Sequence, residues 1–343
     1  MKTIRIATAC AALGALLTTA ALAHNSPGYS HDSGPGGNYS NADWMGRLSD
    51  GLQLGALSVP GTHDTMSHYG GDIAQTQSMS LATQLNSGIR ALDIRCRHQN
   101  NMFQIHHGII DQKATFDDVM KAVTAFLAAH PRETVLMRVK EEYDPKGNTR
   151  TFDATFVDYM QKYPGKFWKY TSDNPTLGDV RGKIVLLQNF TSNPQLGIKW
   201  DSLNIQDDFS VKTNWDLEGK WNKVFAHAEA TAKSGGNPIY VNFLSASGGS
   251  FPYFIASGHS SPGTGAPRLA TGKTTPGWKN CCKMFPRVDC AIGICTIAFE
   301  GTNVLFLQTL DTYNSRGTKY HTGLVMADFP GYGLIKAIVA QNP

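Results

Sequence analysis

From residue 57 to residue 339, short apolar runs alternate with amphipathic stretches, and this alternation restricts the fold more than any other feature. Strands are expected over 57–60, 91–97, 102–106, 134–140, 183–189, 203–207, 239–245, 303–310 and 323–328. Helices are expected over 81–86, 116–129, 151–163, 212–233 and 332–339. Several strand runs are rich in Val, Ile and Leu, as strands covered on both faces tend to be. Phe116, Val119, Met120, Val123, Phe126 and Leu127 follow helical spacing, and Thr115 with Asp118 makes a cap. Strand–helix alternation implies a parallel sheet with covering helices. The expected fold is α/β, a single domain forming an irregular or incomplete TIM (β/α) barrel, because helices are missing between some strands.

The N-terminus reads as a signal peptide over 1–23. It has a basic start (Lys2, Arg5), an apolar stretch from Ala7 to Ala20 and a small-x-small site, Ala21-Leu22-Ala23. The apolar stretch is too short for a good membrane span. Secretion is therefore expected. Residues 24–41 are rich in Gly, Ser, Asn and Pro and read as a flexible lead-in to a domain over 42–343. Residues 245–295 have little periodicity and read as a long loop insertion with short β pieces. An exported chain makes disulfides the default, so Cys281 or Cys282 is expected to pair with Cys290 or Cys295, stapling that loop. Cys96 is expected to be a buried free thiol. The net charge of +4 is mild and scattered, which gives no support to nucleic-acid binding.

Polar residues gather at one end of the proposed strands. His63 and Asp64 follow the first, after Pro60-Gly61 ends it. Asp93 and Arg95 stand two apart on the second, so both project to one face. His107 ends the third, and His106 beside it must face the opposite way. Lys140 and Glu142 end the fourth, Asp207 ends a later run and Asp328 ends the last. In a parallel barrel all these ends share one rim, where active sites are built. Two imidazoles can serve as general base and general acid, because imidazole titrates near neutrality. A guanidinium between them offers a fork of donors to an oxyanion. These are the parts for moving an internal hydroxyl onto a phosphate diester. No G-x-S-x-G or P-loop occurs.

Six stretches, in order from Ser58 to Phe329, resemble the bacterial-type phosphatidylinositol-specific phospholipase C family. They are Ser58-Val59-Pro60-Gly61-Thr62-His63-Asp64, Leu92-Asp93-Ile94-Arg95, Ile105-His106-His107-Gly108, Val139-Lys140-Glu141-Glu142-Tyr143, 181–187 and Met326-Ala327-Asp328-Phe329. The resemblance implies an irregular TIM barrel and roles for single residues. His63 would deprotonate the inositol 2-hydroxyl, and Asp328 would orient His63. Arg95 would bind the non-bridging phosphate oxygens. His107, helped by Asp64, would protonate the departing diacylglycerol oxygen, and Asp93 would hold the group in place. Lys140, Glu142 and Asp207 would line the substrate site. The products would be diacylglycerol and cyclic 1,2-inositol phosphate.

Two positions depart from the family pattern. Gln188-Asn189 replace a basic residue, with Asn189 then facing the inositol. Phe209 stands for a ring-stacking Tyr. Arg95 lies where metal-dependent relatives place a cation, so no metal or other cofactor is expected. The expected partner is phosphatidylinositol or a glycosylated lipid anchor, met at a membrane surface by a monomer. Phe251-Pro252-Tyr253-Phe254-Ile255 and Trp278 are candidate membrane contacts. The rival readings are a metal-dependent glycerophosphodiesterase or phospholipase D-like barrel, and a catalytically silent phosphoinositide-binding protein.

Overall fold

The computed structural model describes residues 25–259, 261–262, 287–291 and 294–343. The signal-peptide segment, Trp278, Cys281 and Cys282 lie outside the described residues. Ten strands form one sheet: β1 (Val59–Thr62), β2 (Ala91–Gln99), β3 (Met102–His107), β4 (Ile110–Thr115), β5 (Val135–Glu141), β6 (Ile184–Asn189), β7 (Ile198–Lys199), β8 (Asn204–Gln206), β9 (Tyr240–Phe243) and β10 (Leu324–Ala327). Eight of them run parallel in the order β8-β9-β10-β1-β2-β5-β6-β7. The two ends of this order, β8 and β7, are not paired, so the sheet curls without closing. That is the α/β, incomplete-barrel arrangement expected from the alternation.

The covering helices are α1 (Leu81–Ser87), α2 (Phe116–Ala129), α3 (Phe152–Lys162), α4 (Leu217–Lys233), α5 (Thr302–Ser315) and α6 (Tyr332–Val339). Thr115 and Asp118 form the expected capping box at the start of α2. Strand parity sorts the core. Leu92, Ile94, Cys96, Met137, Val139 and Leu186 pack outward with residues of α1, α2 and α3. Ala91, Leu136, Val185, Leu187, Val241, Leu324 and Met326 pack inside the curl. Gly61 is fixed by that inner crowding: a Cβ there would lie 2.6 Å from Met326 Sδ and 2.9 Å from the Ala91 carbonyl oxygen. Cys96 is a buried free thiol, as expected.

Three expectations are corrected. Residues 303–310, read as a strand, belong to α5. A continuous apolar run does not separate a strand from a buried helix by periodicity, and here one helical side buries Thr302, Leu305, Phe306 and Leu310. The lead-in is not loose: Asn25–Ser26 pairs with Tyr29–Ser30, and Tyr29 and Ser30 are buried. The insertion contains a helix, Pro252–Ser257, besides β pieces. Its later part forms an antiparallel pair, Arg287–Ala291 with Ile294–Ala298, in which Cys290 and Cys295 are register partners. The expected pairing of Cys281 or Cys282 with Cys290 or Cys295 lies outside the described side chains.

The outer core depends on an aromatic cluster. Phe116 is fully buried, with ring centroids 5.0 Å from Tyr159 and 5.9 Å from both Phe103 and Phe156. Phe116→Ala is expected to cost about 3–5 kcal/mol of unfolding free energy, read from the urea midpoint at unchanged slope.

Candidate active site

Alternation on the three central strands places the site. Leu92 and Ile94 face the helices, so Asp93 and Arg95 between and beyond them face the interior. The same parity turns Arg138 and Lys140 of β5 and Asn189 of β6 inward. Parallel register aligns Asp93 with Arg138, and Arg95 with Lys140 and Asn189. Polar layers therefore stand on the apolar layer of Ala91, Leu136 and Val185, at the C-terminal rim of the sheet.

His63 and Asp328 meet because β1 and β10 are neighbours. Ala327 is the register partner of Thr62, so the two residues that follow leave the sheet side by side. His63 Nδ1 donates to Asp328 Oδ1 at 2.8 Å. Its Nε2 accepts from Arg95 Nη2 at 2.8 Å. A guanidinium only donates, so His63 is the neutral Nδ1–H tautomer with its lone pair at Nε2. Burial depresses the basicity of this imidazole. Burial is the largest single effect, but the charge and hydrogen bond of Asp328 together with the charge of Asp93 outweigh burial and Arg95, and the net pKa is raised above 6.5. Gln77, buried, clamps the two strand ends by donating to the carbonyls of His63 and Ala327 at 2.9 and 3.0 Å.

Arg95 is held by Asp93, whose Oδ2 accepts from Nε at 3.1 Å and Nη2 at 3.0 Å. Asp64 Oδ2 and Glu142 Oε1 lie 3.8 Å from the guanidinium. Burial alone would raise the Asp93 carboxyl. The guanidinium charges of Arg95 and Arg138 outweigh it and hold Asp93 far below the usual carboxylate range. Asp64 goes the other way: burial raises it more than Arg95 and the two imidazoles lower it. Neither of its oxygens has a hydrogen-bond partner among the described residues.

His107 reaches the rim by a different route from the one expected. Its strand, β3, runs antiparallel to β2 instead of parallel. β2 continues past the rim to Gln99, and β3 folds back along it, so the end of β3 returns to the level of Arg95. His107 Nδ1 lies 2.8 Å from the Ala74 carbonyl oxygen, 3.1 Å from Ser67 Oγ and 3.1 Å from Asp64 Oδ2. With Nδ1 engaged, Nε2 is the atom left for substrate. His106 turns away and stacks on Tyr143. Contacts thus run in one line, from Asp328 through His63, Arg95 and Asp64 to His107.

The remaining candidates sit around this line. Lys140 Nζ donates to Glu142 Oε2 at 3.0 Å, and Glu142 Oε1 accepts from the Gly108 amide at 3.0 Å. Glu142 thus braces Lys140 and the His107 turn. Asp207 and Phe209 follow β8 and are exposed, Phe209 by 69%. The expected membrane contacts Pro252, Tyr253, Phe254 and Ile255 are buried instead. Tyr253 packs on Tyr29 and Phe329. Phe251 alone of that run is exposed. Among the described residues, no group of three His, Cys, Asp or Glu side chains is arranged to hold a metal ion.

Sequence reasoning missed three residues of the site. Arg138 stands two residues before Lys140, the same step that linked Asp93 to Arg95. Gln77 left no local signal. Lys220 of α4 is buried, with Nζ donating to the Phe243 carbonyl at 2.8 Å and Gln206 Oε1 at 3.3 Å. Burial, opposed by Asp207 and Asp208, pushes its ammonium down to about 8.

The sequence and the fold are similar to those of known proteins. The family described as phosphatidylinositol-specific phospholipase C, X domain, matches residues 60–190. A 1-phosphatidylinositol phosphodiesterase of Listeria monocytogenes is 39% identical over 228 residues, covering 59% of this chain and 68% of the relative. One from Staphylococcus aureus is 32% identical over 275 residues, covering 70% of this chain and 87% of the relative. The chain belongs to the phosphatidylinositol-specific phospholipase C family. The solved Listeria monocytogenes phosphatidylinositol-specific phospholipase C superimposes with a TM-score of 0.65, at 29% identity, covering 89% of this chain and 99% of that one. The fold of this phospholipase family is thus the curled parallel sheet described above.

The raised His63 pKa makes a prediction about pH. A base works only when neutral, so kcat/KM falls as pH drops through that pKa. Asp328→Asn removes the charge that raises it and leaves burial and Arg95 to lower it. The acid limb of the pH–rate profile should move to lower pH, and kcat should fall by roughly 10²–10⁴-fold.

Proposed function

We propose that this protein is a secreted phospholipase C that cleaves phosphatidylinositol without a metal. The observation that carries the proposal is the Arg95 guanidinium, held between the His63 and His107 imidazoles by buried carboxylates. In the reaction, the inositol 2-hydroxyl takes the place of Arg95 Nη2 at His63 Nε2 and gives up its proton there. The resulting alkoxide attacks phosphorus, and Arg95 carries the charge gathering on the non-bridging oxygens. His107, held at Nδ1 beside Asp64, acts as the acid and passes a proton from Nε2 to the departing glycerol oxygen. Diacylglycerol leaves, and cyclic 1,2-inositol phosphate remains for slow opening by water with the histidines exchanging roles. A fixed guanidinium supplies the charge a divalent ion would bring and repels such an ion. Glycosylated lipid anchors carry the same bond and are a second candidate substrate.

Phosphorus NMR of phosphatidylinositol micelles in EDTA tests this reaction. The expected result is a cyclic phosphodiester signal with the native chain and none with His63→Ala. Activity that appears only after a divalent cation is added would contradict the metal-free account.

A lipid substrate must be met at a membrane surface. Ile73, Ile109, Phe209 and Phe251 are exposed by 75%, 70%, 69% and 41%, each on a loop at the active rim. They, rather than the buried Tyr253, are our candidates for the membrane contact. Ile73→Ser with Ile109→Ser should weaken sedimentation with phosphatidylinositol vesicles by at least about fivefold, at 1–2 kcal/mol per side chain. Hydrolysis of a soluble inositol cyclic phosphate should stay near the native rate.

A further inference from the structure

Arg138 is a charged group inside the curl that the reaction above does not use. Arg138 is 6% exposed, and its guanidinium is fixed on three sides. Nη1 donates to Asp93 Oδ1 at 3.2 Å. Nε and Nη2 both donate to Asn189 Oδ1, at 2.9 and 2.7 Å. The plane lies over the Trp200 ring, with Cζ 4.2 Å from the ring centroid. Asp93 Oδ2 is the oxygen that holds Arg95, so one carboxylate joins the two guanidinium groups.

The Asn189 contact has a chemical consequence. An asparagine amide can normally turn over and exchange donor for acceptor. Here it cannot, because a guanidinium has no lone pair and only an oxygen can face it. Nδ2 is therefore forced to the opposite side of the amide. It donates to no protein atom among the described residues. Asn189 ends β6 at the rim, half-buried, in register with Lys140. A donor of fixed direction is thus presented at the rim, two strands from Arg95 and one beyond Lys140.

We propose that Arg138 is a positioning residue for headgroup specificity. It locks the Asn189 amide so that Nδ2 donates to one ring hydroxyl of the inositol headgroup. The inference rests on the reading of the protein as a phosphatidylinositol-cleaving enzyme. A lysine would not serve at 138, since a point charge lacks the fork that spans Asp93 and Asn189 and lies flat on Trp200.

The test compares kcat/KM on phosphatidylinositol with that on analogues each lacking one ring hydroxyl other than the attacking one. The native chain should lose roughly 10–100-fold on one analogue, the one missing the oxygen that Asn189 meets. Asn189→Asp keeps an oxygen facing Arg138 and turns the donor into an acceptor. It should lose a similar factor on phosphatidylinositol itself and little more on that analogue. Arg138→Lys keeps the charge and frees the amide, so the native preference should shrink to within about threefold. A purely structural role for Arg138 would lower turnover on every substrate equally and leave the ratios intact. That result, or a native ratio retained by Asn189→Asp, overturns the inference, and the second variant serves should Arg138→Lys fail to fold. A native chain that cleaves none of these lipids would instead contradict the reaction assigned above.

Discussion

The Asp93 carboxylate is the interaction on which the rest of the site depends. It is wholly buried, and removing a carboxylate from water costs several kcal/mol unless its lone pairs are answered. Here every direction is answered: Arg95 and the Asp64 amide on Oδ2, and Arg138 on Oδ1. Two guanidinium groups share this one carboxylate, and Arg95, the one nearer the rim, is the cation that would meet the negative charge of a phosphate diester. Removing either arginine would leave one oxygen of this buried carboxylate without its cation, and losing one partner of a buried pair costs about 3–5 kcal/mol.

Around this pair the fold brings together residues remote in sequence. His63 and Asp328 are 265 residues apart and touch because the first and last strands of the sheet are neighbours. Gln77 fastens those two strand ends from the loop after β1. The same loop supplies Ser67 and the Ala74 carbonyl to His107. One loop thus fixes the backbone at His63 and the ring of His107, and a disturbance there would reach both residues.

Much of this was legible in the sequence, for physical reasons that differ by residue. Asp93 and Arg95 were legible because a two-residue step on a strand fixes a shared face. Arg138 obeys the same step relative to Lys140, so the missing signal was one of attention to parity and not of chemistry. His107 reaches the rim by a path other than the one expected: antiparallel return of β3, not the common direction of barrel strands, carries it there. The 303–310 run was misread because a short apolar run reads alike as a strand or as the buried side of a helix. Phe251 to Ile255 show the limit of composition: aromatic content identifies neither a membrane face nor a core, and the structure puts all but Phe251 inside. Gln77 and Lys220 act through contacts with backbone carbonyls of other strands, which no local pattern encodes.

The most direct measurement is a crystal structure with myo-inositol 1-phosphate bound. The account predicts phosphate oxygens on the Arg95 guanidinium, with Asp93 still bridging it to Arg138. It also predicts the 2-hydroxyl within hydrogen-bond reach of His63 Nε2, and His107 on the far side of phosphorus. A phosphate bound away from Arg95, or both imidazoles on one side of it, would contradict the central claim.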